Sequence, residues 1–167
     1  TPLILLADGA GDLVLDGEGN PIRLGGGVIN TAANGVIHLS ATDTVLIQNV
    51  VGENGADVAS VLIESTSGDV KLQSRVNADD SIRILASGNL EISAGSTVRT
   101  RGTSGTIDLL AGGNLLVEAQ NGATLAAYIE SQNAMHIAGD LVHIGGLVRV
   151  TNNALALVNG ISAVQRT

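Results

Sequence analysis

The sequence contains no cysteine, no phenylalanine and no tryptophan, and it has only one tyrosine, one methionine and two prolines. Without cysteine there is neither a disulfide framework nor a thiolate metal site, a composition compatible with secretion without demanding it. Without aromatics, an interior has to be filled by Val, Ile, Leu and Ala, which suit a narrow, regularly layered core. Long apolar runs are missing too. The stretch from Leu3 to Ala7 falls far short of the roughly 18 to 20 residues that a membrane-spanning helix needs. Cations are scarce, with 8 Lys and Arg against 16 Asp and Glu and a formal net charge of −8, and no run of like charge exceeds the pair Asp79-Asp80. That balance argues against a basic groove for nucleic acid.

What is present is small, apolar and rich in turns. The 167 residues are 44% hydrophobic, enough for the core of one domain, and include 22 glycines, well above the usual share of about 7%. Short Val, Ile and Leu stretches separated by Gly, Asn, Asp and Ser predict an all-β chain.

The stretch Gly105 to Ala119, GTIDLLAGGNLLVEA, shows the unit. Ile107-Asp108-Leu109 and Leu115-Leu116-Val117 each place two apolar residues around a variable one, with Ala-Gly-Gly-Asn between them. A strand this short buries only its first and third residues, so it needs equivalent strands stacked on both sides. The chain supplies them. One series of triplets begins at Leu13, Ile37, Val61, Ile82 and Ile107, a second at Ile22, Val45, Val70, Leu90 and Leu115, and a weaker third at Val28, Val50, Val76 and Val98. Three strands per period predict a parallel, three-sided β-helix or β-solenoid with coils of about 20 to 25 residues, running through residues 1–167 as a single segment. Helical repeats need about 33 residues or more, and the leucine-rich repeat pattern does not recur.

Strand alternation assigns the faces. The third residues of the first series, Leu15, Leu39, Ile63, Ile84 and Leu109, are expected to form an inward ladder. The middle residues are expected to face solvent: Val14, His38, Leu62, Arg83 and Asp108 on the first face, and Arg23, Leu46, Lys71, Glu91, Leu116 and His136 on the second. Equivalent residues lie about 4.8 Å apart on neighbouring coils. Arg83 is thus expected beside Asp108 and Lys71 beside Glu91, opposite charges that make the register physically sensible. Further triplets at Met135, Val142, Val148 and Leu155 continue the coil, and Ile161 and Val164 offer another.

Several residues have side chains suited to chemistry. Asp8, Asp12, Asp16 and Glu18 lie in DGAGD and DGEGN turns whose oxygens suit calcium, but neither an EF-hand loop nor a nonapeptide calcium repeat is formed, and Asp-Gly turns are ordinary at strand ends. His136 and His143 occupy successive triplets, which puts them on different faces of a three-sided coil, so neither metal nor cofactor is expected. Asp79-Asp80, with Arg75, Arg83, Arg99 and Arg101 nearby, is the strongest catalytic candidate, for a polysaccharide lyase or hydrolase. Opposed carboxylates across a sugar cleft are not evident, and Asp-Asp-Ser between strands reads as a turn.

The units Gly68-Asp69-Val70-Lys71-Leu72, Gly88-Asn89-Leu90-Glu91-Ile92-Ser93-Ala94-Gly95 and Ala111-Gly112-Gly113-Asn114-Leu115-Leu116-Val117 resemble the G-G-N/D-L-x-[LIV]-x-A-G repeats of filamentous-haemagglutinin-type exoproteins and related giant bacterial adhesins. The likeness runs from about Gly11 to Val158. It implies a right-handed parallel β-helix, export, display at the bacterial surface and a host or cell-surface receptor as an outside partner. The chain departs from that pattern in its uneven coils and in carrying no amino-terminal secretion domain.

The expected role is a non-enzymatic rod segment of a secreted adhesin or surface fibre, a mature product or a piece of a longer protein. The alternative is a homopolymeric filament subunit. No capping helix is evident at either end, so further coils or identical subunits are expected to join end to end through Leu3, Leu5, Leu155 and Leu157.

Overall fold

The computed structural model describes residues 34–48, 50–52 and 58–152 in full, and the backbone of 28–29 and 155–159. All described regular structure is β. Among the described residues seventeen strands form three parallel sheets, and the chain visits the sheets in rotation. The fold is a three-sided parallel β-solenoid without a helix among the described residues.

The third sheet opens the described chain with β1 (Val28–Ile29). The first sheet contains β2 (Gly35–Ala41), β5 (Val58–Ser65), β8 (Ser81–Ala86), β11 (Thr106–Ala111), β14 (Ala134–Gly139) and β17 (Leu155–Asn159). In the second are β3 (Val45–Ile47), β6 (Val70–Leu72), β9 (Leu90–Ile92), β12 (Leu115–Val117) and β15 (Val142–Ile144). The third continues through β4 (Val50–Val51), β7 (Arg75–Ala78), β10 (Thr97–Thr100), β13 (Tyr128–Ser131) and β16 (Leu147–Val150).

Apolar residues alternate with polar ones because each strand has one dry side. On β8 and β11 the inward residues Ile82, Ile84, Ile107 and Leu109 have no exposure at all. They pair in register, as do Ile37, Val61, Ile82, Ile107, Met135 and Leu155 along the whole first sheet. On the second sheet Val45, Val70, Leu90, Leu115 and Val142 stack in the same way. Burying each large aliphatic side chain contributes about 1.5–3 kcal/mol against the entropy of ordering the chain. Of the inward ladder, Ile63, Ile84 and Leu109 are fully buried. Leu39 is only partly buried against the core, since on β2 its described partner in the sheet, Ile63, lies on one side only. Leu15 lies outside the described residues.

The structure corrects the sequence-based register in four places. On the third sheet Val76 pairs with Val51, and Val50 with Val28. Val51 is the buried residue, so the inward row is shifted by one from the Val28 and Val50 expectation. His136 pairs with Asp108 on the first sheet, not on the second, where His143 takes the position beside Leu116. The first-sheet strands β2, β5, β8, β11 and β14 run to six residues or more, longer than triplets. Finally, Ile107 and Met135 are partners, a coil of 28 residues that exceeds the 20 to 25 expected, because residues 118–127 are looped out before β13.

The turn between the first and second sheets explains the Gly-Asx-Leu signature. The carbonyls of Asp69, Asn89 and Asn114 accept the backbone N–H of Val45, Val70 and Leu90, each at 2.9 Å, one coil back. Their side chains bind the other way. Asp69 Oδ1 accepts the N–H of Asn89 at 2.7 Å, and Asn89 Oδ1 that of Asn114 at 2.9 Å. Asp69 and Asn89 therefore each satisfy backbone groups on both neighbouring coils, at a corner where sheet hydrogen bonding stops. The glycines serve this contact by lacking a side chain. A Cβ on Gly88 would overlap Asp69 Oδ1, and one on Gly112 would overlap the Ser87 carbonyl oxygen.

Candidate functional site

The outward faces differ in chemistry. On the second sheet Lys71 meets Glu91 at 3.0 Å, and on the first Arg83 meets Asp108 at 3.3 Å, the two pairings expected from the triplets. His38 lies 2.8 Å from Glu64 on the first sheet. These pairs are exposed and contribute at most about 1 kcal/mol each. They mark the register of neighbouring coils.

Asp79 and Asp80 occupy the corner between the third and first sheets. Their N–H groups bond to Val58 and Ala59 carbonyls at 2.8 Å, and their carbonyls receive Gly102 and Thr106. The Asp79 carboxylate lies 3.4 Å from Arg101. The pair is built into the corner as a turn. His136 and His143 stand on different sheets. No group of three or more His, Asp or Glu side chains able to hold a metal occurs among the described residues. No helix in the described residues is long and apolar enough to cross a membrane. Asp8, Asp12, Asp16, Glu18, Leu3 and Leu5 lie outside the described residues. Leu155 and Leu157 belong to β17, whose backbone pairs with β14 at Met135 and Ile137.

The third sheet carries a constellation that the triplet pattern did not reveal. Its outward residues include Arg75, Arg99 and Arg149, all exposed, and the sheet's one acidic residue, Glu130. Register places Glu130 between Arg99 and Arg149 on successive coils. Glu130 is only 6% exposed. Its Oε2 lies 3.0 Å from Arg99 Nε and accepts the Tyr128 hydroxyl at 2.9 Å. An enclosed carboxylate has to be paired to be tolerated, and here a cation and a phenol do so. Burial first, and then the Glu130 carboxylate, push the Tyr128 phenol above its ordinary pKa, with Arg149 pulling the other way. Tyr128 is the chain's only aromatic residue.

Beside this face, residues 118–127 form a finger. Asn121 and Thr124 exchange backbone hydrogen bonds of 3.0 and 2.9 Å around Gly122-Ala123, and Gly122 has φ of 57°. A glycine with positive φ at the first central position is the choice of a tight two-residue hairpin. The finger is fastened at its base: Gly95 N–H bonds to the Leu125 carbonyl at 2.7 Å, Ala127 N–H to Glu118 O at 3.0 Å, and Ala94 N–H to Glu118 Oε2 at 2.7 Å. Leu125 is 72% exposed. The signal for all this was present in Asn121-Gly122 and in the alternation of Tyr128 to Ser131, but their spacing falls outside the 20 to 25 residue period.

Where the first sheet turns toward the second, Glu64, Leu85 and Leu110 share one outward row. With Ala86, Ala111 and Ser87 they line a shallow, mainly apolar groove of about 440 Å³.

No family model, curated protein or solved structure matches the chain.

Proposed function

We propose that this chain is a structural rod segment, non-enzymatic, of an extracellular bacterial adhesin or surface fibre. The observation that carries the reading is axial continuity. Three sheets stack in parallel, and at the corner between the first and second the Asx side chains hydrogen-bond the next coil, so sheet and corner alike transmit along one axis. Outward charges such as Lys71 with Glu91 and Arg83 with Asp108 pair between coils. The likeness to filamentous-haemagglutinin-type repeats, carried by Gly68 to Leu72, Gly88 to Gly95 and Ala111 to Val117, supports export and surface display.

The test is immunogold microscopy of intact cells that produce the native protein, with an antibody against the described segment, together with the mass of the native polypeptide. Label on the outer surface and a mass well above that of the segment are expected. Label confined to the cytosol, or cleavage of an acidic polysaccharide by the purified protein, would overturn the reading. Surface label with a native mass equal to that of 167 residues would favour the filament alternative, identical subunits joined end to end.

A further inference from the structure

Asn121 and Gly122 stand exposed at the tip of the finger, with Gly122 the first central residue of its turn. Asparagine is a chemically labile residue, and what decides its fate is the backbone N–H that follows it. Among the described residues neither the Asn121 side-chain amide nor the Gly122 N–H has a hydrogen-bond partner. Asn121 bonds Thr124 through its backbone alone, and Gly122 is held only at its carbonyl oxygen, by Gln120 Nε2 at 3.1 Å. A Cβ on Gly122 would meet nothing within 4 Å, so the amide between the two residues has open space around it.

Asn89 and Asn114 carry the same side chain in the opposite situation. Asn89 Oδ1 is committed to the Asn114 N–H, and the N–H groups that follow the two asparagines, those of Leu90 and Leu115, bond to Asn114 O and Leu141 O at 2.9 and 2.8 Å. Leu90 and Leu115 are each 1% exposed, so freeing their amides means opening a coil. Opening the finger tip breaks only the two backbone bonds between Asn121 and Thr124, worth about 1 kcal/mol each.

We infer that Asn121-Gly122 is a site of spontaneous covalent modification, at which the chain deamidates itself. The Gly122 nitrogen attacks Asn121 Cγ. The N–Cγ bond forms, the Cγ–Nδ2 bond breaks, and the Gly122 amide proton departs with Nδ2 as ammonia, leaving a succinimide ring. Water then opens the ring. Opening at Cγ leaves aspartate at position 121, whereas opening at the backbone carbonyl carbon leaves isoaspartate, in which the chain runs through Cβ and Cγ. Either product adds a negative charge to the finger at neutral pH, and isoaspartate also displaces the carbonyl that accepts the Thr124 N–H. The coil itself persists, because the tip contributes nothing to the inward ladders and the base stays fastened through Leu125 O and the Glu118 carboxylate. This goes beyond the rod reading and does not depend on it.

Peptide mapping by mass spectrometry tests it, on the folded 167-residue protein incubated at mildly alkaline pH in heavy-oxygen water, with circular dichroism followed in parallel. Conversion at Asn121 is expected to run about tenfold or more faster than at Asn89 and Asn114, since a barrier lower by about 1.4 kcal/mol already gives that factor. Aspartate and isoaspartate should both appear, with heavy oxygen in the new carboxyl group and an unchanged β spectrum. The other Asn-Gly pairs, such as Asn34-Gly35, fall in separate peptides and are read separately. Asn121→Gln, whose longer side chain closes a ring less readily, should keep the fold and lose the conversion. A rate at Asn121 no higher than at Asn89 and Asn114 overturns the inference. So does aspartate without isoaspartate, which would exclude the ring, or loss of the β spectrum in step with conversion, which would tie the finger to the core.

Discussion

Asn89 Oδ1 accepts the backbone N–H of Asn114 at 2.9 Å, and in doing so it stands 2.7 Å from where a Cβ on Gly113 would be. One contact thus accounts for two residues of the repeat signature. The asparagine is there to bridge coils, and the glycine is there to let it.

Asn89→Ala should therefore destabilise the protein by about 1 kcal/mol, the net value of one such hydrogen bond, and lower the melting temperature by about 2–4 °C. Gly112→Ala should cost more, because the obstacle is the Ser87 backbone carbonyl, which cannot rotate aside as an Asn side chain can. Thermal melts of the two variants check the order. A larger drop for Asn89→Ala would contradict this account of the corner.

Ile84 and Arg83 are adjacent in β8 and point opposite ways, one with no exposure and the other exposed. Ile84→Asp is expected to unfold several coils, since it places an unpaired charge in a dry core at a cost of several kcal/mol, whereas Arg83→Ser should change stability by no more than about 1 kcal/mol. Circular dichroism of both variants under one set of conditions decides the point. Equal losses would mean that the two side chains do not differ in burial.

Reversing a charge probes register at the surface. Asp108→Arg sets a cation opposite Arg83 on one neighbouring strand and His136 on the other, so a modest destabilisation of at most about 1 kcal/mol is expected at low salt. It should shrink as ionic strength rises. Denaturant titrations at two salt concentrations measure it, and a salt-independent loss would point to packing rather than charge.

Tyr128 gives stability a dependence on alkaline pH. Its phenol is raised in the folded state, so the native protein binds that proton more tightly than the unfolded chain does. The contribution is fully present below the unfolded value near 10 and is lost as pH rises through the folded value. Wild-type stability should fall above about pH 10 more steeply than that of Tyr128→Phe. Parallel slopes for the two proteins would show that the phenol carries no such linkage.

Arg99 neutralises a carboxylate that is almost enclosed. Arg99→Ala should cost about 1–3 kcal/mol, more than loss of an exposed partner, because Glu130 stays buried with a charged hydrogen bond removed. Adding Glu130→Gln should restore part of that loss, which a double-mutant cycle reads directly. Strictly additive effects would mean that the two side chains are not coupled.

The sequence by itself determined the class of fold and much of its register. Apolar residues two apart, returning every 20 to 25 residues, can be dried only by stacking parallel strands, and Arg83 with Asp108 and Lys71 with Glu91 already stood at matching positions. It did not separate Val50 from Val51, because two adjacent valines satisfy the alternation equally well and only pairing across the sheet chooses between them. Nor did it show that Glu130 would be enclosed, or that ten residues would leave the coil before Tyr128. Those outcomes depend on which residues of distant coils come to lie side by side. Arg99 and Glu130 are separated by a finger that breaks the period, and they become neighbours only because the chain resumes the third sheet at β13 after leaving it.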